Sequence, residues 1–328
     1  MRRQTKQNRG GNTKHYNKYK NYKNATKKNK NSNTTTRKNK NKRNITLQHI
    51  NCSPKEKNIV NEFSCYTDAS LYKLRDKWNA RHSDLKINTN NPKEIHSRLT
   101  SYLSNVCNKE SCWLKQTKDL GNVDNDLYNS FAPKRPKEWD KNPNEWLSSV
   151  DIIKVMKQYE RAYKCFDFIG PTPIDFNTRQ LYGQCVWDEL CNFNLKKQIE
   201  SGKNKIGIIF NTDPHYKPGQ HWISMFINIK HSKIIFFDSA GDPPPKEIMD
   251  LVNTIKKQGL LLKDKIHFKY YDTTGIEHQL GNTECGVYSL YFIVHMIQDK
   301  LSNDYLKTHR IKDEYVNKFR NVYFNKNL

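Results

Sequence analysis

Gln279-Leu280-Gly281-Asn282-Thr283-Glu284-Cys285-Gly286-Val287-Tyr288-Ser289-Leu290-Tyr291-Phe292-Ile293-Val294 reads as a loop that turns directly into a buried helix. Val287, Leu290, Tyr291 and Val294 recur at i, i+3, i+4 and i+7, which makes one face of that helix apolar. Cys285 stands at its start, where unpaired backbone N–H groups and the helix dipole favour negative charge and so a thiolate. Gly286 lets the backbone approach another group closely. A thiol so placed is a candidate nucleophile, although a lone Cys at a helix start is more often a core residue.

Two upstream segments supply the partners that a nucleophile needs. Gln220-His221-Trp222-Ile223-Ser224-Met225-Phe226-Ile227-Asn228-Ile229 and Lys233-Ile234-Ile235-Phe236-Phe237-Asp238-Ser239 both read as strands, joined by a polar turn at 230–232. His221 begins the first and Asp238 ends the second, so an antiparallel hairpin brings imidazole and carboxylate side by side. The imidazole can then deprotonate the thiol, while the carboxylate orients the ring and stabilises its charged form. Gln279 lies six residues before Cys285, and its amide can join the Cys285 N–H in holding the oxyanion of a tetrahedral intermediate. Each residue alone has a bland reading as a strand histidine, a turn aspartate or a loop amide. Their joint placement at element ends favours catalysis. Trp222 reads as a wall beside the imidazole, lining the substrate site. His215, His267 and His278 lack a strand start followed by Trp and rank below His221 as the base.

This His-Trp, Asp-Ser, Gln-x5-Cys-Gly order resembles the Ulp1/adenain-type cysteine proteases. Asn211-Thr212-Asp213, Gly219-Gln220-His221-Trp222, Ser239-Ala240-Gly241-Asp242-Pro243-Pro244 and Thr283-Glu284-Cys285-Gly286-Val287-Tyr288-Ser289-Leu290 narrow the likeness. They look like the polyprotein-processing protease of asfarviruses and its relatives in other large DNA viruses. The resemblance covers about residues 140–325. One position departs: the asfarvirus enzyme has Asn as its third catalytic residue, whereas Asp238 stands here, as in the wider clan. The resemblance implies a central mixed sheet flanked by helices and a cysteine endopeptidase without metal or organic cofactor. It also implies cleavage after small, Gly-Gly-type residues in structural polyprotein or capsid precursors, and a place in the virion and the host cytoplasm.

The 328 residues carry a net charge of +24, and residues 1–45 hold two thirds of it, with 16 Lys/Arg and no acidic residue. That stretch has almost no large aliphatics and is expected to be a disordered basic tail. It suits nucleic acid or an acidic surface, or it is simply a solvated, composition-biased end. No apolar run reaches the ~18 residues of a membrane span, and no signal-peptide core follows the N-terminus. The eight Cys show no dense paired pattern and are read as reduced thiols. Cys107-x4-Cys112 lacks the second pair that zinc would need, so no metal is expected there.

Between tail and core, residues 46–130 read as a linker and a helical arm domain. Leu71, Leu74 and Trp78 share one helix face, and Ile95, Leu99, Tyr102, Leu103 and Val106 another. Residues 131–328 form the protease core. Residues 114–147 are a polar connector, and Ser148-x-x-Asp151 offers a capping box for a helix with Ile152, Met156, Tyr159 and Tyr163 on one stripe, part of it available to substrate. Residues 170–176 read as a turn, 185–200 as a helix, and the sheet is expected to start at Lys205. A helix follows Pro243-Pro244-Pro245, a strand covers 266–271, and a last helix spans about 311–324 with Tyr315, Phe319 and Tyr323. Strands with a Cys-bearing helix packed on them give an α+β architecture. Two other functions fit parts of this pattern: a deconjugase that removes a ubiquitin-like modifier, and a basic nucleic-acid-binding virion protein on an inactive protease scaffold.

Overall fold

The computed structural model describes residues 51–55, 61–116, 125–326 and 328. These belong to one compact unit, Thr46–Leu328. The expected basic tail lies outside the described residues.

The arm begins with helices α1 (Asp68–Arg81) and α2 (Pro92–Leu103). The Thr67 hydroxyl accepts the Ser70 N–H to start α1, and Asn91 caps α2 with Pro92 in the first turn, where its missing N–H costs nothing. Two shorter helices follow, α3 (Glu110–Gln116) and α4 (Asn125–Tyr128). Leu71, Leu74, Ile95, Leu99 and Trp113 pack into a cluster of their own, joined by Leu127, Phe131 and the C-terminal Leu328. The α2 stripe is shorter than expected: Val106 lies past the helix end and is 61 % exposed. The polar connector also contributes to the core, because Leu114, Leu127, Phe131 and Trp139 are all buried.

Helix α5 (Ser149–Ala162) comes next, and its capping box between Ser148 and Asp151 is formed. Of its stripe, Ile152, Met156 and Tyr159 are buried and Tyr163 is partly exposed. Strand β1 (Phe166–Pro173) follows where a turn was expected. It pairs in parallel with a later strand, and the register shifts between Ile169 and Thr172, around Pro171. A proline lacks the ladder N–H, but an edge strand tolerates that. The single helix expected over 185–200 is two, α6 (Asp188–Cys191) and α7 (Leu195–Glu200), because the Asn194 side chain caps a new start on the Lys197 N–H.

Strands β2 (Lys205–Asn211), β3 (Trp222–Asn228) and β4 (Lys233–Phe237) form the antiparallel centre of the sheet. Helix α8 (Lys246–Leu261) and the short strand β5 (Lys269–Tyr271) come next, then α9 (Cys285–Ile297). The sheet order is β1-β2-β3-β4-β5, with parallel pairing at both edges. Ile206, Ile208, Phe210, Met225 and Ile234 face α8, where Ile248, Val252 and Ile255 meet them. The other face meets α9: the Phe237 and Phe292 rings stack at 4.9 Å. A Cβ at Gly207 would stand 2.9 Å from Ile293, so this strand position has to be glycine for α9 to lie so close. With both faces covered, the strands are apolar throughout instead of alternating.

The chain ends in α10 (Asn303–Thr308), α11 (Asp313–Val316), a 3-10 turn (Asn317–Phe319) and α12 (Arg320–Tyr323). The last three stand where one helix was expected, and Phe319 and Tyr323 are buried as read. No helix of the described residues is long and apolar enough to cross a membrane.

Candidate active site

The β3–β4 hairpin sets the site. Its register pairs Ser224 with Phe237, so His221, just before β3, and Asp238, just after β4, come to the same end of the sheet. The loop leading to His221 is tied by its ends, with the Thr212 N–H donating to the His221 carbonyl (2.9 Å). Within it, the Asn211 carboxamide oxygen accepts the Asp213 and Gln220 N–H groups at 3.0 and 3.2 Å. Gly219 has φ +95° and a Cβ there would fall 2.6 Å from the Asn211 amide, so only glycine fits over this side chain.

Asp238 is 3 % exposed, and its backbone N–H bonds the Thr273 hydroxyl. Its Oδ1 accepts two N–H groups, Ala240 at 2.8 Å and His221 Nε2 at 2.7 Å. The carboxylate therefore fixes the tautomer and the plane of the ring. The Cys285 thiol lies close enough to act on the protonation of the ring; with Nε2 held by Asp238, Nδ1 is the nitrogen left to face it. Burial opposes the charged ring. The Asp238 hydrogen bond, the neighbouring Cys285 and the charges of both outweigh it and raise the His221 pKa to about 10. Cys285 is the first residue of α9, 2 % exposed, and unpaired with another sulfur. An imidazole hydrogen-bonded to a buried carboxylate and a thiol at a helix N-terminus thus stand together.

Gln279 and Asp238 are linked through Ser239. The Ser239 hydroxyl donates to Gln279 Oε1 (2.7 Å), and the Ser239 carbonyl accepts the His278 and Gln279 N–H groups at 2.9 and 2.8 Å. Gln279 Nε2 donates to the Gly281 carbonyl (3.0 Å) and, as an amide nitrogen, has a second hydrogen to offer.

Residues 156–327 match the Ulp1 protease family, C-terminal catalytic domain. A protein of Acanthamoeba polyphaga mimivirus named as a thiol protease is 30% identical over 83% of this chain and 92% of its own. The cysteine protease of African swine fever virus is 29% identical over 71% of this chain and 89% of its own. The crystal structure of a protease of that virus superposes with a TM-score of 0.60 at 25% identity, covering 85% of this chain and 98% of that one. The chain belongs to the Ulp1 protease family. It is a cysteine-type peptidase with viral relatives.

The protease buries Trp222 instead of opening it to the surface: the indole N–H donates to the Leu147 carbonyl (3.0 Å). A Cβ on Gly286 would meet both Leu147 (3.0 Å) and Trp222 (3.2 Å), so Trp222 packs directly beneath the helix that Cys285 begins. His215 pairs with Asp175 (2.7 Å). His278 is fully buried and accepts the Ile311 N–H at Nδ1; burial first, then the nearby Arg310 charge, lowers its pKa to about 4. It is a neutral structural group. His267 is exposed and precedes β5 instead of lying in it.

The cysteines correct the sequence reading. Cys52–Cys65, Cys107–Cys112 and Cys185–Cys191 are paired, and Cys165 and Cys285 are free among the described residues. Each pair closes a short loop, and nothing in local spacing announced it. The sequence analysis also missed Thr273 and Ala240 as partners of Asp238, and Ser239 as the link to Gln279. The signal for the last was the Asp-Ser dipeptide itself.

The turn after Asp238 gives a direct test. Gly241 has φ +77°, and a Cβ there would lie 2.8 Å from the backbone of Ile276. Gly241→Ala is expected to cost about 2 kcal/mol or more, since backbone cannot yield as a flexible side chain does. Chemical denaturation checks it; an unchanged midpoint would contradict the fit.

Proposed function

We propose that this protease cuts structural polyprotein precursors after small, Gly-Gly-type residues during virion maturation. The observation that supports the chemistry is the Asp238–His221 hydrogen bond beside the free Cys285 thiol. His221 takes the Cys285 proton, and the sulfur attacks the scissile carbonyl. The oxyanion that forms is held by the Cys285 N–H and the free hydrogen of the Gln279 amide. His221 then gives its proton to the leaving amine, leaving a thioester on Cys285. Water attacks the thioester, again with His221 as base, and the acid product and the thiol are released. Asp238 keeps the ring oriented throughout. We assign Trp222 to the wall of the substrate site, where its buried indole backs Gly286. No step needs a metal or organic cofactor. Cleavage at Gly-Gly and action in the virion and host cytoplasm rest on the family resemblance, and the basic tail is the segment we assign to nucleic acid.

A second reading keeps the chemistry and changes the substrate, because African swine fever virus relatives carry the name SUMO-1 cysteine protease. The test is to offer the purified protein a viral precursor containing a Gly-Gly site and a SUMO conjugate side by side. The proposal expects the precursor to be cut and the new N-terminus to lie after Gly-Gly. Release of SUMO with an intact precursor would replace it by the deconjugase reading.

A further inference from the structure

The loop from Gln279 to Cys285 joins the proposed oxyanion amide to the proposed nucleophile, and its backbone is gripped from the C-terminal segment. Asp313 Oδ2 accepts both the Leu280 and the Gly281 N–H, at 3.0 and 2.9 Å. Asp313 Oδ1 lies 2.7 Å from the hydroxyl of Tyr288, one turn after Cys285 on α9. One carboxylate therefore ties the start of the loop to the nucleophile's own helix. The far end is held in the same way. Arg320 donates from Nη2 to the Thr283 carbonyl (3.1 Å) and from Nη1 to the Glu145 carbonyl (2.8 Å), and lies over the Trp139 ring at 4.6 Å. Asn317 stands between, donating to Glu284 Oε1 (3.1 Å) and accepting from Arg320 Nε (3.2 Å). Glu284 is buried, and its carboxylate also takes the Thr283 hydroxyl and N–H. Residues 313, 317 and 320 thus all reach the same loop from the terminal helical segment.

We propose that Asp313, Asn317 and Arg320 are positioning residues that hold the Gln279–Cys285 loop in the shape that presents its oxyanion donors. The inference rests on Cys285 being the nucleophile. Buried ionic groups seldom repay their desolvation in stability, and well-packed apolar side chains often serve a fold as well. Arg320 and Glu284 are 5 % and 4 % exposed. What apolar side chains could not do is fix three backbone N–H and C=O groups within residues 280–283. An oxyanion donor must come within about 2.7–3.1 Å of the developing charge, and an error of about 1 Å costs about 100-fold.

Asp313→Asn, Arg320→Lys and Asn317→Ala test this. An asparagine at 313 cannot accept from the two loop N–H groups and from Tyr288 together. Lysine at 320 keeps the charge but loses the planar fork. Asn317 is only half-buried, so its alanine variant keeps the test open should the others not fold. Hydrolysis of a Gly-Gly peptide is measured per active site, with sites counted by titration with a peptide electrophile, and the Cys285 alkylation rate by iodoacetamide is followed alongside. The brace predicts kcat per titrated site lower by about 10–100-fold in Asp313→Asn and about 10-fold in Arg320→Lys. Asn317→Ala should lose about threefold or more, with KM and the alkylation rate within about threefold of the parent in every variant. Unchanged kcat per titrated site, with only less folded protein, would reduce the three to structural contacts and overturn the proposal. So would an alkylation rate that falls in step with kcat, since the effect would then lie on the thiol. Continued turnover by Cys285→Ala would instead sink the nucleophile assignment on which the inference stands.

Discussion

Replacing Cys285 with alanine is expected to lower peptide hydrolysis by about 10⁵–10⁶-fold, to the level of background. In the proposed mechanism the Cys285 sulfur forms the covalent intermediate, and neither His221 nor Asp238 can replace it. The fold should persist. Cys285 sits at the N-terminal end of α9, whose other residues hold it against β3 and β4 through Tyr288 and Phe292. Loss of one buried sulfur costs about 1 kcal/mol, small beside the stability of such a core. Binding of a peptide should survive in the alanine variant, because the oxyanion donors and Trp222 remain. Measurable turnover in this variant, with thermal unfolding unchanged, would refute the mechanism.

The second large effect belongs to Asp238. Asp238→Ala is expected to lower kcat/KM by about 10²–10⁴-fold. It removes the acceptor at 2.7 Å from His221 Nε2 and leaves the ring free to rotate and to adopt the wrong tautomer. The same change has a pH signature. The His221 pKa is raised to about 10, above the ordinary value near 6.5. Its contribution to stability is therefore fully present below about pH 6.5 and is lost as the pH climbs towards 10. The contribution is on the order of a few kcal/mol, because the ring is largely shielded from solvent. Without Asp238 the raise shrinks. The gap in unfolding free energy between parent and Asp238→Ala should be widest below pH 6.5 and should narrow as the pH rises to 10. A gap that widens instead would mean that Asp238 does not favour the imidazolium.

The residues of the site were legible because each sits where an element changes. His221 and Asp238 flank strands whose apolar runs and polar turn announce a hairpin, and Cys285 opens an unmistakably apolar helix. The α8 helix after three prolines and the capping box at Ser148 were equally plain. What escaped detection depended on tertiary contact. Strand β1 was hidden because Gly170-Pro171 reads as a turn, and only pairing with β2 keeps that stretch extended. The disulfide pairs unite residues by loop geometry that spacing does not encode. Asp313, Asn317 and Arg320 had helical spacing, yet charged residues near a chain end look like a solvated face. Only the loop that they touch shows otherwise. Trp222 was read as a wall beside the imidazole; its indole turns inward to Leu147 and Gly286.

The central claim is that Cys285 is an activated nucleophile, primed by His221, in a site that accepts Gly-Gly. The most direct measurement is labelling with an electrophile attached to a Gly-Gly peptide, read by mass spectrometry of the modified residue. The account predicts a single adduct on Cys285 that disappears in His221→Ala. An adduct on Cys165, or no adduct at all with the fold intact, would contradict it.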